Sequence, residues 1–267
     1  MTTHEADTLV AEVARVLRDA ESSKTPCAPL RETFPALDVA LAYRVQAENT
    51  RLALGDSGRI VGRKIGLTAR AVQAQLGVDS PDCGTLRADM CLGDGEEIAW
   101  SRLMQPKVEA EIAFVLGRDL ARPGVTFAEA TRAIDFALPA IEIVGSRIAN
   151  WNIKIVDTVA DNASSSLLVL GDAPRRLGDF DPRLCGMVLE RRGEPVSLGA
   201  GAACLGHPVN ALVWLANTMA AFGQPLRAGD LVMTGALGPM VAVAPGDVLE
   251  ARINGLGSVR AVFGGRA

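Results

Sequence analysis

The hydrophobic pattern of this chain changes period near residue 95, and that change restricts the folds open to it. Before it, Leu9, Val13, Val16 and Leu17 recur at helical spacing over 5–20, and Leu41, Val45 and Leu52 do so over 38–54. Asp38 is placed to cap the second helix and Gly55 to stop it. IVGRKI (60–65) reads as a short strand, and 68–76 as a short helix capped by Thr68 and ended by Gly77. After residue 95 the chain becomes a series of short apolar runs between Gly, Pro and Asp turns. These are VEAEIAFVLG (108–117), PAIEIVG (139–145), SLLVLG, GMVLE, DLVMTG, MVAVA, DVLEARI and SVRAVF. Two helices interrupt them. One spans 126–138 and opens on a capping box of Thr126 and Glu129. The other begins at Pro208, lines Leu212, Leu215, Ala216, Met219 and Phe222 along one face, and ends at Gly223. The pattern predicts an α+β chain with a small, mainly helical N-terminal part (1–94) and a β-rich domain (95–267).

With 49% apolar and 22% charged residues in 267, the chain has the composition of a globular protein of one or two domains, not of a disordered one. A net charge of −4 with no basic cluster argues against nucleic acid as a partner. No apolar run approaches the ~18 residues of a membrane span. The first residues carry neither a basic nor an apolar signal region, and the five cysteines (27, 83, 91, 185 and 204) are widely spaced and form no C-x-x-C. Reduced thiols and a cytoplasmic location are expected.

The chemistry concentrates on 108–116. Strand period is two, so Glu109 and Glu111 share a face with Ala113 and Val115, their Cβ atoms ~7 Å apart. The other residues are apolar on both faces, which suits a strand buried on both sides. An unpaired ionised carboxylate in such a place costs several kcal/mol, so a cation must compensate. A divalent metal does this economically; an edge strand with solvated glutamates is the alternative. Glu142, a lone carboxylate in PAIEIV, adds a third oxygen ligand from a second strand. The three together suit an open Mg²⁺ or Mn²⁺ site, unless Glu142 instead pairs with Arg147. Lys64 lies in a Gly-bracketed apolar run. It either binds a substrate carboxylate, moves a proton with a depressed pKa, or snorkels to the surface. The polar run 161–166 holds either a ligand or a turn. His207, before Pro208, suits a helix cap better than a catalytic base. G-x-S-x-G and Gly-Lys-Ser/Thr are absent, so neither an α/β-hydrolase nucleophile nor a nucleotide loop is expected.

Five motifs in order, GRKIGLT (62–68), QLGVD (75–79), QPKVEAEI (105–112), VDTVADNAS (156–164) and TGALGP (234–239), resemble the hydratase/decarboxylase branch of the fumarylacetoacetate hydrolase superfamily. The resemblance runs from about residue 10 to 265. It implies a mixed β-roll with the helical part packed on it. It places Glu109, Glu111 and Glu142 on the metal-ligand positions and Lys64 on the active-site lysine. Asp79, Ser164 and Thr234 fall in segments that approach the substrate, with Asp79 a candidate proton relay. The implied reaction is metal-dependent hydration of a 2-hydroxy-2,4-dienoate to a 4-hydroxy-2-oxo acid, in meta-cleavage degradation of aromatic compounds. The implied assembly is a homo-oligomer larger than a dimer and built from pentamers, with a related decarboxylase or a downstream aldolase as potential partners. Three rivals stand beside this reading. A 4-oxalocrotonate decarboxylase needs a pocket for a second carboxylate. A carbon–carbon hydrolase usually relies on a histidine base, for which His4 and His207 are poorly placed. A non-catalytic subunit of a decarboxylase–hydratase complex would not require Glu109, Glu111, Glu142 and Lys64 intact.

Overall fold

The computed structural model describes residues 1–69, 73, 78 and 80–266. Asp79 lies outside the described residues, as does most of the helix expected over 68–76.

Three helices, α1 (Thr3–Ser23), α2 (Leu30–Thr33) and α3 (Val39–Leu54), open the chain. A capping box between Thr2 and Glu5 starts α1, and the Asp38 carboxylate accepts from the Leu41 amide to start α3. Val10, Val13, Ala14 and Leu17 of α1 bury against Leu41, Ala42 and Val45 of α3, and the cluster extends to Ile148, Val159 and Ala160. Each buried Val or Leu contributes ~1.5–3 kcal/mol. This packing, more than intrinsic propensity, holds the helices in place.

From Ile60 the chain is mostly strand. It runs through β1 (Ile60–Gly66), β2 (Asp82–Arg87), β3 (Cys91–Gly93), β4 (Glu97–Ile98), β5 (Lys107–Leu116), α4 (Phe127–Ala133) and β6 (Ile134–Val144). It continues through α5 (Ile155–Ala160), β7 (Ser165–Leu170), β8 (Gly186–Arg191), β9 (Glu194–Ala200) and α6 (Pro208–Ala221). The last strands are β10 (Leu231–Ala236), β11 (Val241–Ala242), β12 (Val248–Ile253) and β13 (Gly257–Phe263). Eight strands form one sheet in the order β2-β1-β10-β5-β6-β7-β3, with β11 on β5. Five form a second in the order β4-β13-β12-β8-β9. The pairs β1–β10, β3–β7 and β4–β13 are parallel and the others antiparallel, so both sheets are mixed. β12 and β13 pack on β6, and Phe114, Ile141, Leu249, Val259 and Phe263 belong to one continuous core. Among the described residues no helix is long and apolar enough to cross a membrane.

β1 and β2, which precede residue 94, are full members of the eight-stranded sheet. Long-range pairing to β10, invisible locally, recruits them. The helix expected over 126–138 begins at its capping box but ends at Ala133. Ile134 pairs with Leu116 and Phe136 with Val115, so the chain joins β6 there instead of continuing the helix. His207 caps α6, its Nδ1 accepting from the Val209 amide at 3.0 Å.

Candidate active site

β5 lies inside the sheet, between β10 and β6, which removes the solvated-edge reading of its glutamates. In the β5–β6 register Glu109 stands directly opposite Glu142, and Glu111 opposite Ala140. Residues directly opposite share a face, and so do residues i and i+2. All three carboxylates therefore converge, with one oxygen of each within 4.8 Å of the others. Glu111 and Glu142 are each 1% exposed. Glu111 Oε2 accepts from the Gly235 amide at 2.8 Å. Glu111 Oε1 and both Glu142 oxygens have no hydrogen-bond partner. Arg147, the alternative partner for Glu142, pairs with Asp161 instead.

Lys64 is buried on β1, its Nζ 3.3 Å from Glu142 Oε1, an ion pair outside hydrogen-bond geometry. Burial works against its charge, but Glu142, Asp82, Glu109 and Glu111 outweigh it and hold the ammonium above the usual lysine pKa. The surrounding carboxylates thus favour the charged ammonium over the depressed pKa among the sequence alternatives. Burial, reinforced by Glu142, pushes Glu109 up to about 7. Burial with Glu142 and Glu109 raises Glu111 well above the carboxylate range.

Sequence reasoning missed Asp82. β1 pairs antiparallel with β2, placing Gly84 opposite Lys64 and Asp82 opposite Gly66. Asp82 thus lies diagonally from Lys64 on the same face. Burial raises its carboxyl pKa against the pull of Lys64. Its Oδ1 is unpartnered, while Oδ2 accepts from Thr158 at 3.3 Å. Ser164 Oγ lies 3.2 Å from Thr158 Oγ1, completing a buried row of two hydroxyls and a carboxylate. A Cβ on Gly66 would lie 2.2 Å from Asp82 Oδ1 and 3.4 Å from Lys64 Nζ. Gly66→Ala is therefore expected to turn Asp82 aside and cut kcat/KM by ~10²-fold, the scale of a ~1 Å misplacement in an active site. An unchanged far-ultraviolet spectrum would accompany the loss; kinetics like the wild type would show that Asp82 is free to move.

Ser164 reaches the site through three consecutive left-handed residues, Asn162, Ala163 and Ser164, with φ of 56°, 51° and 58°. Such conformations cost ~1 kcal/mol or more each outside glycine. The Asn162 side chain offsets part of this by acting as a strand partner for β2. Its Oδ1 accepts from the Thr85 amide at 2.7 Å and its Nδ2 donates to the Thr85 carbonyl at 3.0 Å.

Lys64, Asp82, Glu109 and Ser164 line one cavity of about 240 Å³, with Val144, Trp151, Ile153 and Met240 as apolar wall. The Lys107 ammonium lies 4.3 Å over the Trp151 ring at the same cavity. Thr234, expected near the substrate, does not line it. Its hydroxyl donates to the Ile112 carbonyl at 2.8 Å and the residue is fully buried. Ala236, two residues on, reaches the cavity instead, beyond a register shift between Met233 and Ala236 that interrupts the strand alternation.

The four carboxylates, Glu109, Glu111, Glu142 and Asp82, face Lys64 as the main counter-charge. Unpartnered buried oxygens in an all-oxygen set fit a hard divalent cation, with Glu109, Glu111 and Glu142 as its holders. In metal-free protein the raised Glu109 pKa has a consequence for stability. The folded chain holds a proton that the unfolded chain releases between pH ~4.5 and ~7. Stability from this group is thus present at low pH and lost as pH rises through that window. Metal-free protein is expected to melt lower at pH 8 than the Glu109→Gln variant does, with the gap narrowing through the window and closing only below pH ~4.5. A gap independent of pH would contradict the assignment.

Comparison with known proteins follows the same geometry. The family profile described as fumarylacetoacetate (FAA) hydrolase C-terminal matches residues 44–263. The chain belongs to the fumarylacetoacetate hydrolase family. Within that family, a 2-keto-4-pentenoate hydratase of Paraburkholderia xenovorans LB400 is 60% identical over 252 residues, 94% of each chain. A 2-hydroxyhexa-2,4-dienoate hydratase of Comamonas testosteroni is 40% identical, covering 92% of this chain and 94% of its own. The 4-oxalocrotonate decarboxylase of Pseudomonas putida G7, solved with magnesium and adipate, superposes with a TM-score of 0.93 at 39% identity over 98% of this chain and 99% of its own. The mixed β architecture with a smaller helical N-terminal region is thus that of the family.

Proposed function

We propose that this chain is a hydro-lyase that adds water to a 2-hydroxy-2,4-dienoate to give a 4-hydroxy-2-oxo acid, in the catabolism of aromatic compounds. The observation that carries the reading is the 60% identity to a 2-keto-4-pentenoate hydratase across 94% of both chains, with Lys64 and Glu109 lining one cavity and Glu111 and Glu142 converging on Glu109. Glu109, Glu111 and Glu142 would hold a Mg²⁺ or Mn²⁺ ion, which would supply Lewis-acid polarisation of the substrate 2-oxygen. Lys64, kept protonated by the surrounding carboxylates, holds the substrate carboxylate. The reaction moves the 2-hydroxyl proton away and delivers a proton to C5, giving a 2-oxo-3-enoate. Water then places its oxygen on C4 and a proton on C3. Asp82, with one free oxygen and a raised pKa, is suited to hold and move these protons, and Thr158 and Ser164 extend the row. The apolar wall of Val144, Ile153 and Met240 receives the unsaturated end and excludes bulk water.

The test is incubation of the purified chain and Mg²⁺ with fresh 2-hydroxypenta-2,4-dienoate, followed by ultraviolet absorbance and product mass. A product heavier by the mass of one water supports the hydratase. The similarity to the decarboxylase favours one other reading, and loss of CO₂ from 4-oxalocrotonate in place of hydration would establish it. No product from either substrate leaves the non-catalytic subunit.

The same reading includes a cytoplasmic homo-oligomer larger than a dimer. Its five free cysteines suit a reducing compartment. Light scattering is expected to give a mass well above twice 28.0 kDa; a monomer at micromolar concentration would refute it.

A further inference from the structure

A second cavity, of about 490 Å³, lies behind β1, between α3 and the end of α6. Its wall is apolar and aromatic: Tyr43, Leu54, Ile60, Met219 and Phe222. The Tyr43 and Phe222 rings stand 5.0 Å apart, tilted by 59°. Phe222 is 47% exposed and Ile60 39%, so the apolar surface is open. Arg63 reaches into this groove from β1, the strand that sends Lys64 to the active site. Its guanidinium donates to the Gly62 carbonyl at 2.9 Å and to Gln224 Oε1 at 3.0 Å. Both acceptors are neutral. The other two arginines of the groove are already committed, Arg44 to Asp7 and Arg51 to Glu48. Asp230, an acid that acts on Arg63 from a distance, accepts instead from the Arg227 amide. Among the described residues no carboxylate forms an ion pair with Arg63.

A partly desolvated guanidinium with spare donors calls for an anion, and its planar fork suits a carboxylate. The aromatic pair beside it calls for a flat apolar body. We propose that this groove binds a small planar monocarboxylate, an aromatic or conjugated acid, with its carboxylate on Arg63 and its body against Tyr43 and Phe222. Burial also lowers the Arg63 pKa, consistent with a cation short of a counter-charge.

The sequence supplies a reporter, because Tyr43 is the single tyrosine of the chain. Protein labelled with 3-fluorotyrosine gives one ¹⁹F resonance, from inside the groove. Titration with benzoate is expected to shift it saturably, while benzamide, the neutral isostere, leaves it in place. Arg63→Gln is expected to weaken benzoate at least ~10-fold, the scale of one charge-assisted bond. Phe222→Asp, which removes the half-exposed aromatic wall and adds a repelling carboxylate, is expected to abolish the shift, with an unchanged far-ultraviolet spectrum showing that the variant is folded. Glu142→Gln, which disables the metal site, is expected to keep it. Four results would overturn the proposal: no shift with benzoate, an equal shift with benzamide, an unchanged affinity in both groove variants, or loss of the shift in Glu142→Gln. A resonance that moves with protein concentration alone and blocks benzoate would overturn it too, by assigning the groove to a second copy of the chain. Because the readout is binding, it stands apart from any outcome of the hydratase assay.

Discussion

Glu142→Ala protein is expected to fold and to lose at least ~10³-fold in kcat, with no recovery in millimolar Mg²⁺. Replacing even an outer partner of a metal ligand costs 10–100-fold, and Glu142 is itself one of three converging carboxylates. It is also the ion-pair partner of Lys64. The fold is expected to survive because the triad is a repulsive cluster, in which Glu142 raises the pKa of both Glu109 and Glu111. Removing Glu142 relieves that repulsion in the metal-free chain, which offsets the lost pair with Lys64. Lys64 keeps Asp82, Glu109 and Glu111 as neighbours. Steady-state kinetics with a thermal melt on the same sample checks both halves. Turnover within ~10-fold of wild type would remove Glu142 from the metal site.

Lys64→Ala is expected to reduce kcat/KM by ~10³-fold or more. Lys64 is 3% exposed and lies among four carboxylates, so its loss strips the site of its resident cation and, in the proposed role, the substrate carboxylate of its partner. Breaking one side of a buried charge pair costs ~3–5 kcal/mol. The proposed role is binding of the substrate carboxylate, with the carboxylate neighbours favouring the charged ammonium. Lys64→Arg is therefore expected to recover part of the loss, chiefly in KM, since it restores the charge without a titratable proton. Arginine no better than alanine would argue for proton transfer. Wild-type kinetics in Lys64→Ala would make Lys64 a bystander.

The legible and illegible parts of this molecule differ in how local their cause is. Glu109 and Glu111 stand out because strand alternation puts them on one face of an otherwise apolar run, and Glu142 because it is alone in PAIEIV. Asp38, Thr126 and His207 are read correctly as caps because a cap needs only its next two or three residues. Asp82 has no such local mark. DCGTLR is neither apolar nor alternating, and its aspartate acquires a role only when β2 pairs with β1 across from Gly66 and Lys64. Recruitment of β1 into the large sheet by β10 is illegible for the same reason. The helix expected to reach 138 shows the converse. Its start is a local signal and holds, but its end is set by pairing of Ile134 and Phe136 with β5. Thr234 lies in a matching motif, yet its hydroxyl is bonded to Ile112 and the cavity is met two residues later by Ala236.

The central claim is that Glu109, Glu111 and Glu142 hold one divalent ion on which turnover depends. It is tested most directly by titrating metal-free protein with Mn²⁺, counting bound ion by electron paramagnetic resonance and hydration of 2-hydroxypenta-2,4-dienoate by absorbance in the same samples. The account predicts about one Mn²⁺ per chain with activity rising in proportion, and neither in Glu142→Ala. Full hydration in the metal-free protein, or equal Mn²⁺ binding by Glu142→Ala, would contradict it.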